Sequence, residues 1–189
     1  MTVPIAWPIR GGAIDLEPWV LMGVVNATPD SFSDGGLHLD PEAAAAAAVE
    51  MIEAGATVID VGGESTRPGA DRVDAAEQIR RVVPVIEAIR SRSDVAISID
   101  TTRSEVAKAA IEAGANAIND VAAGTEDPAI FAVAAETGAG LVLMHRRLPP
   151  TEDRYSDRYD APPNYGDVVA EVTTFLLDRS AVAESAGVD

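Results

Sequence analysis

An α/β fold built on a parallel sheet is what the sequence predicts, and three observations carry it. Short runs rich in Val, Ile and Leu alternate five times with longer Ala-rich segments of helical spacing. Asp, Thr and Pro open the Ala-rich segments, and glycine closes several of them. The polar residues at the ends of the apolar runs, Asn26, Asp60, Asp100, Asn119 and His145, recur about every 30 residues, the length of one βα unit. Eight such units need ~250 residues, the usual size of a (β/α)8 barrel. This chain has 189, enough for about five. An incomplete barrel and an open doubly wound sheet both satisfy these observations.

Taken in order, Gly11-Gly12 lies between short apolar stretches and predicts a small hairpin ahead of the sheet. Strands are expected at Leu21–Val25, Thr57–Val61, Ala96–Ile99, Ala117–Asn119 and Leu141–Met144, as continuous apolar runs suited to burial on both faces. Asp40-Pro41 supplies a cap and a first-turn proline for the first helix, which should end at Glu53-Ala54-Gly55. Asp74…Glu77 and Thr102…Glu105 resemble capping boxes for the second and third helices, the latter ending at Gly114. The fourth should run from Asp127-Pro128 to Gly138, and a fifth from about Asp167 to Ala186 after the loop Pro149–Tyr165. Residues 1–189 read as one domain.

Composition narrows the function. Acidic residues number 31 against 14 basic ones, a formal charge of −17. Such a surface repels nucleic-acid phosphates and anionic membranes, so neither is an expected partner. The 47% hydrophobic content suits a globular core, yet no apolar run approaches the roughly 18 residues that span a bilayer. The absence of cysteine removes disulfides and thiolate chemistry and fits a reducing compartment. A cytoplasmic protein is the expectation.

In parallel α/β folds the site lies at the carboxyl ends of the strands, where Asn26, Asp60, Asp100 and Asn119 are expected. Asp40 and Asp127 are explained as helix caps. Asp60 is not, because Val61-Gly62-Gly63 follows it rather than a helix. Two long polar loops, Asn26–Gly36 and Gly62–Ala70, hold side chains suited to oxyanions and hard cations. An Asn carbonyl with nearby carboxylates suits Mg²⁺, which keeps several waters and takes its other ligands from substrate phosphates. Arg67, within Ser65-Thr66-Arg67-Pro68-Gly69, suits a carboxylate or a phosphate through its planar fork. A lid role is expected for both loops.

The same residues carry a family resemblance. Leu21-Met22-Gly23-Val24-Val25-Asn26-Ala27-Thr28-Pro29-Asp30-Ser31-Phe32-Ser33-Asp34-Gly35-Gly36 closely resembles the first signature of the dihydropteroate synthase family. Ile59-Asp60-Val61-Gly62-Gly63-Glu64-Ser65-Thr66-Arg67-Pro68-Gly69 resembles its second, and Ser98-Ile99-Asp100-Thr101, Ile118-Asn119-Asp120-Val121 and Leu143-Met144-His145 follow in the family's order. The resemblance covers about residues 20–189. It implies a (β/α)8 TIM barrel with about five of its eight units present. The implied reaction belongs to folate synthesis: the amine of 4-aminobenzoate displaces pyrophosphate from 6-hydroxymethyl-7,8-dihydropterin diphosphate. Carried over residue by residue, Asn26 would hold Mg²⁺ on the diphosphate, Asp100 and Asn119 would bond the pterin edge, and Met144 would pack on its face. Asp34, Ser65, Thr66, Arg67 and Pro68 would close over the site and form the aminobenzoate pocket, with Asp34, Thr66 and Arg67 as the catalytic set.

Arg146-Arg147-Leu148-Pro149 departs from the Met or Trp and Gly that commonly follow in this family. The family's Asp-Pro-Gly motif, its pterin-contacting lysine and its Arg-x-His lie outside these 189 residues, and the only lysine, Lys108, sits in a predicted helix. The sequence therefore also accommodates a non-catalytic product, or one half of a split enzyme completed by a C-terminal partner chain. A homo-oligomer is the other partner expected from the family.

Overall fold

Five strands lie side by side in the order in which the chain makes them. The computed structural model describes residues 5–28, 40–161 and 163–189. A hairpin of β1 (Ala6–Ile9) and β2 (Gly12–Asp15) comes first, antiparallel, with Gly11 at a φ of +88° in its turn. The main sheet is all parallel and runs β3 (Met22–Asn26), β4 (Val58–Gly62), β5 (Ala96–Asp100), β6 (Ala117–Asp120) and β7 (Gly140–Leu143). A doubly wound sheet reverses its strand order at a switch point. No reversal occurs among these strands, and right-handed crossovers then put the four helices that connect them on the same side. The winding is that of a (β/α)8 barrel, and the open alternative is set aside.

The helices are α1 (Pro41–Glu53), α2 (Ala75–Arg90), α3 (Ser104–Ala113), α4 (Ala129–Thr137) and α5 (Val168–Ser185), with a short 3₁₀ turn at Ser156–Arg158. Helix α1 packs on α2, α2 on α3 and α3 on α4. Val25, Ile59, Val61, Ile97, Ile99 and Ile118 form the core with Val82, Val85, Ile86, Ile89, Val106, Ile111 and Ile130. Alternation leaves the other sheet face with a different character. There Met22 and Val24 are 41% and 51% exposed, and the polar residues described below line it.

Caps show where sequence reasoning held and where neighbours overrode it. The Asp40 side chain accepts from Glu42 N at 2.9 Å and Asp74 from Glu77 N at 2.8 Å. The Glu77 carboxylate does not return the bond. It turns to Arg80 and Arg81. The expected Thr102…Glu105 box is absent: α3 has Arg103 at its cap position with no side-chain bond. Asp127, from the next loop, accepts from Ser104 N at 2.7 Å instead. Thr102 is thereby released to donate to Glu126. Helix α4 begins one turn position later than expected, with Pro128 as its cap residue.

At the amino end of the sheet Asn116 collects several segments. Its side-chain oxygen accepts from Ile97 N and Arg90, its amide nitrogen donates to Arg10 O, and its backbone oxygen accepts from Arg10 N and Gly140 N. The hairpin is thus tied to β5, β6 and β7. The hairpin also lies close against Gly140, where a Cβ would stand 2.6 Å from Pro8 O. Among the described residues no helix is long and apolar enough to cross a membrane.

Candidate active site

Parallel register decides which polar side chains meet. Asn26, Gly62, Asp100 and Asn119 are consecutive partners across β3, β4, β5 and β6, and a shared register in a parallel sheet means a shared face. The next row toward the amino end holds Val24, Asp60, Ser98 and Ala117. Asp60 is therefore not at a strand end, as its place before Val61-Gly62 suggested. It sits in mid-strand, 4% exposed. There the Ser98 hydroxyl donates to its Oδ1, and Asn119 Nδ2 donates to its Oδ2 at 3.1 Å.

Glycine at 62 keeps the upper row open. A Cβ there would lie 3.6 Å from Asp100 Oδ2 and 3.8 Å from Asn26 Oδ1, so the space between those two oxygens is what a larger side chain would fill. Asp100 has its Oδ1 buried without a hydrogen-bond partner. An unpaired buried acceptor costs about 1–3 kcal/mol, and the carboxyl answers by holding its proton. Burial first, then the charges of Asp60, Asp120 and Glu64, push it up to about 7, against the pull of Arg146. Asp120 belongs to the other face. Its carboxylate accepts from Ala122 N and Gly124 N and shapes the turn after β6.

A second group of expected residues gathers above the sheet. Thr66 and Met144 share a cavity of about 180 Å³ with Val121, Arg146, Leu148 and Pro150. Both are exposed, available to a ligand rather than packed away. Ser65 Oγ accepts from Arg67 N, and Gly69 N donates to Pro150 O at 2.6 Å, which pins this loop to the one after β7. Pro68 is half-buried and Arg67 exposed. No hydrogen bond or ion pair involves the Arg67 guanidinium among the described residues. Asp34 lies outside the described residues, as does the loop 29–39. His145 packs edge-on against Phe175 with ring centroids 5.0 Å apart, a structural role.

The sequence reading missed the ionic frame beneath these loops. Glu126 pairs with both Arg72 and Arg146, and Arg72 also approaches Glu64 at 3.7 Å. Glu64 in turn accepts from Val73 N and Gln78. Burial pushes the Glu126 carboxyl up, but Thr102, Arg72 and Arg146 together hold it below its ordinary value. Loops after β4, β6 and β7 are joined through four charges far apart in sequence, so no local motif announces them. Arg146, a departure from the family pattern, is one of the four.

The donor set bears on Mg²⁺. Among the described residues no group of three or more His, Asp or Glu could hold a metal ion. One amide oxygen facing one carboxylate across open space fits an ion that keeps waters and takes most ligands from a phosphorylated substrate.

Comparison with known proteins agrees with this fold. The family model described as pterin binding enzyme matches residues 22–189. The dihydropteroate synthase of Mycobacterium leprae is 47% identical over 176 residues, 93% of this chain and 60% of that protein. That of Escherichia coli K12 is 45% identical over 179 residues, 95% of this chain and 61% of that one. A structure of the Xanthomonas albilineans dihydropteroate synthase with 4-aminobenzoic acid superposes with a TM-score of 0.85 at 43% identity, over 99% of this chain and 64% of that one. The chain thus spans about three fifths of the length of the curated relatives it matches.

Proposed function

The chain belongs to the pterin-binding enzyme family, and on that premise we propose that it acts in dihydropteroate synthesis. The amine nitrogen of 4-aminobenzoate forms a bond to the methylene carbon of 6-hydroxymethyl-7,8-dihydropterin diphosphate. The bond from that carbon to the diphosphate oxygen breaks, its electron pair leaves with pyrophosphate, and the amine gives its proton to solvent. The observation that carries the reading is the row of Asn26, Gly62, Asp100 and Asn119, with a buried carboxyl oxygen of Asp100 that has no hydrogen-bond partner.

Each residue has a task suited to its chemistry. Asp100 offers acceptors to ring N–H groups, and those bonds replace the partners it lacks. Asn119, beside it in register, both donates and accepts. Met144 and Thr66 bound the same small cavity, Met144 giving a soft apolar surface for a ring. Ser65, Arg67 and Pro68 form the aminobenzoate side, where the free Arg67 fork matches a carboxylate. Asn26 would hold Mg²⁺, which supplies charge neutralisation to the departing diphosphate when bound. Because the nucleophile is a weak amine needing no strong base, the chain contributes mainly positioning and exclusion of water.

Calorimetric titration of the dihydropterin diphosphate into the 189-residue chain, with Mg²⁺, tests the reading. Binding in the micromolar range that Asp100→Ala weakens at least tenfold is expected. Equal affinity in Asp100→Ala, or no binding to the parent chain, would overturn it. Pyrophosphate release on adding 4-aminobenzoate then reports the reaction itself.

A further inference from the structure

Asp60 is a buried carboxylate that caps no helix and that the reaction above leaves without a task. The geometry points to Asp60 as a positioning residue that fixes which way the Asn119 amide faces, and so sets the donor and acceptor pattern offered to a ligand's ring edge. The inference rests on the reading of the row as a pterin cradle and adds what orders it.

Both oxygens of Asp60 are engaged, one by the Ser98 hydroxyl and one by Asn119 Nδ2 at 3.1 Å. Ser98 is itself fully buried and lies in register with Asp60, so its donor is fixed by the sheet. An ionised carboxylate only accepts. The amide facing it must therefore present nitrogen, and its carbonyl oxygen is turned away. Among the described residues no donor meets that oxygen. Next to it stands Asp100, with Oδ1 unpartnered. A ligand edge thus finds two acceptor oxygens side by side, one from an amide and one from a carboxyl group. An amide without Asp60 can turn over at little cost, because its two ends have nearly the same shape. Burial pushes the Asp60 carboxyl up while Ser98 and Asn119 pull it back. Burying a carboxylate in mid-strand is costly, and an apolar residue would fill the space without that cost.

Asp60→Asn is the informative substitution, since an amide can accept from the Asn119 nitrogen or donate to its carbonyl oxygen. In the ¹⁵N-labelled chain, the Asn119 side-chain amide should exchange about tenfold more slowly than that of exposed Asn164, and Asp60→Asn should abolish the difference. With ligands, the parent chain should prefer 6-hydroxymethylpterin over the analogue whose 2-amino group is replaced by oxo, and the preference should fall about tenfold in Asp60→Asn. A merely structural role would weaken both ligands equally and leave their ratio intact, which would overturn the inference, as would unchanged amide exchange. If the parent chain binds neither ligand, the pterin reading fails while the exchange measurement still decides the role of Asp60. Should Asp60→Asn not fold, Ser98→Ala frees Asp60 to rotate. Partial loss of the slow exchange is then expected, and no change would overturn the assignment.

Discussion

Raising the pH through neutrality should cost this fold stability, and Asp100 is the reason. Burial and the neighbouring charges of Asp60, Asp120 and Glu64 push its carboxyl from 3.8 up to about 7. In the unfolded chain the same group titrates at ~3.9. Between the two values the folded state keeps a proton that the unfolded state has lost. Its contribution is therefore full at the acid end and is lost as the pH rises through the folded value. From pH 5 to 7.5 that amounts to about 2–3 kcal/mol, at about 1.4 kcal/mol per unit. With a urea slope of about 2 kcal/mol per M, the unfolding midpoint should drop by roughly 1 M. Glu77, held at about 2 by Arg80 and Arg81, and the lowered Glu126 and Asp127 stay ionised across this window. They leave the slope untouched. Asp100→Asn removes the titration, so its midpoint should vary far less and exceed that of the parent at pH 7.5. Asp60 and Asp120, both raised by burial, leave a smaller slope of the same sign. Urea melts followed by circular dichroism at four pH values measure it. A parent midpoint that stays level or climbs from pH 5 to 7.5, with Asp100→Asn tracking it, would refute the reasoning.

Other perturbations follow from the same geometry. Gly62→Leu should fill the space between Asn26 and Asp100 and weaken pterin binding more than tenfold by calorimetry, with the far-ultraviolet spectrum unchanged; retained affinity would place the ligand elsewhere. Gly140→Val should destabilise by about 1–3 kcal/mol, because its Cβ meets the Pro8 carbonyl; in a Trp19→Phe background Trp7 emission should shift to the red, and an unshifted spectrum would count against the packing. Glu126→Ala leaves Arg72 and Arg146 without their shared partner, so amide exchange at 64–73 and 144–150 should quicken about tenfold while the core strands hold theirs. Equal rates would show that the ionic frame does not restrain these loops.

Local signals made the elements legible. Val and Ile runs marked all five sheet strands to within a residue of their bounds, and Asp40, Asp74 and Asp167 cap as their positions predict. Strand order was not local information: spacing left barrel and open sheet level, the family resemblance implied the barrel, and the pairing of β3 through β7 bears it out. The upper row of the site was legible because Asn26, Asp100 and Asn119 each sit near a strand's carboxyl end. Asp60 was noticed but misplaced, since its partners Ser98 and Asn119 lie 38 and 59 residues away. The same distance effect hid the bond from Ser104 to Asp127 and the Arg72, Glu126 and Arg146 frame. Backbone caps are decided within a turn, whereas side-chain networks are decided by register.

Asn116 gives the two ends of the sheet different fates under mutation. It gathers the hairpin, α2, β5 and β7, yet it stands only three residues, ~10 Å, from Asn119 in the ligand row. Change at the lower position would be read by the cell as loss of protein, and change at the upper one as loss of affinity in a chain that still accumulates. Substitutions that spare folding but alter recognition of small competing molecules should therefore cluster at 62–68 and 144–148, and avoid residues 10, 90, 116 and 140. A deep mutational scan that scores abundance and ligand binding separately would draw that boundary across a single strand.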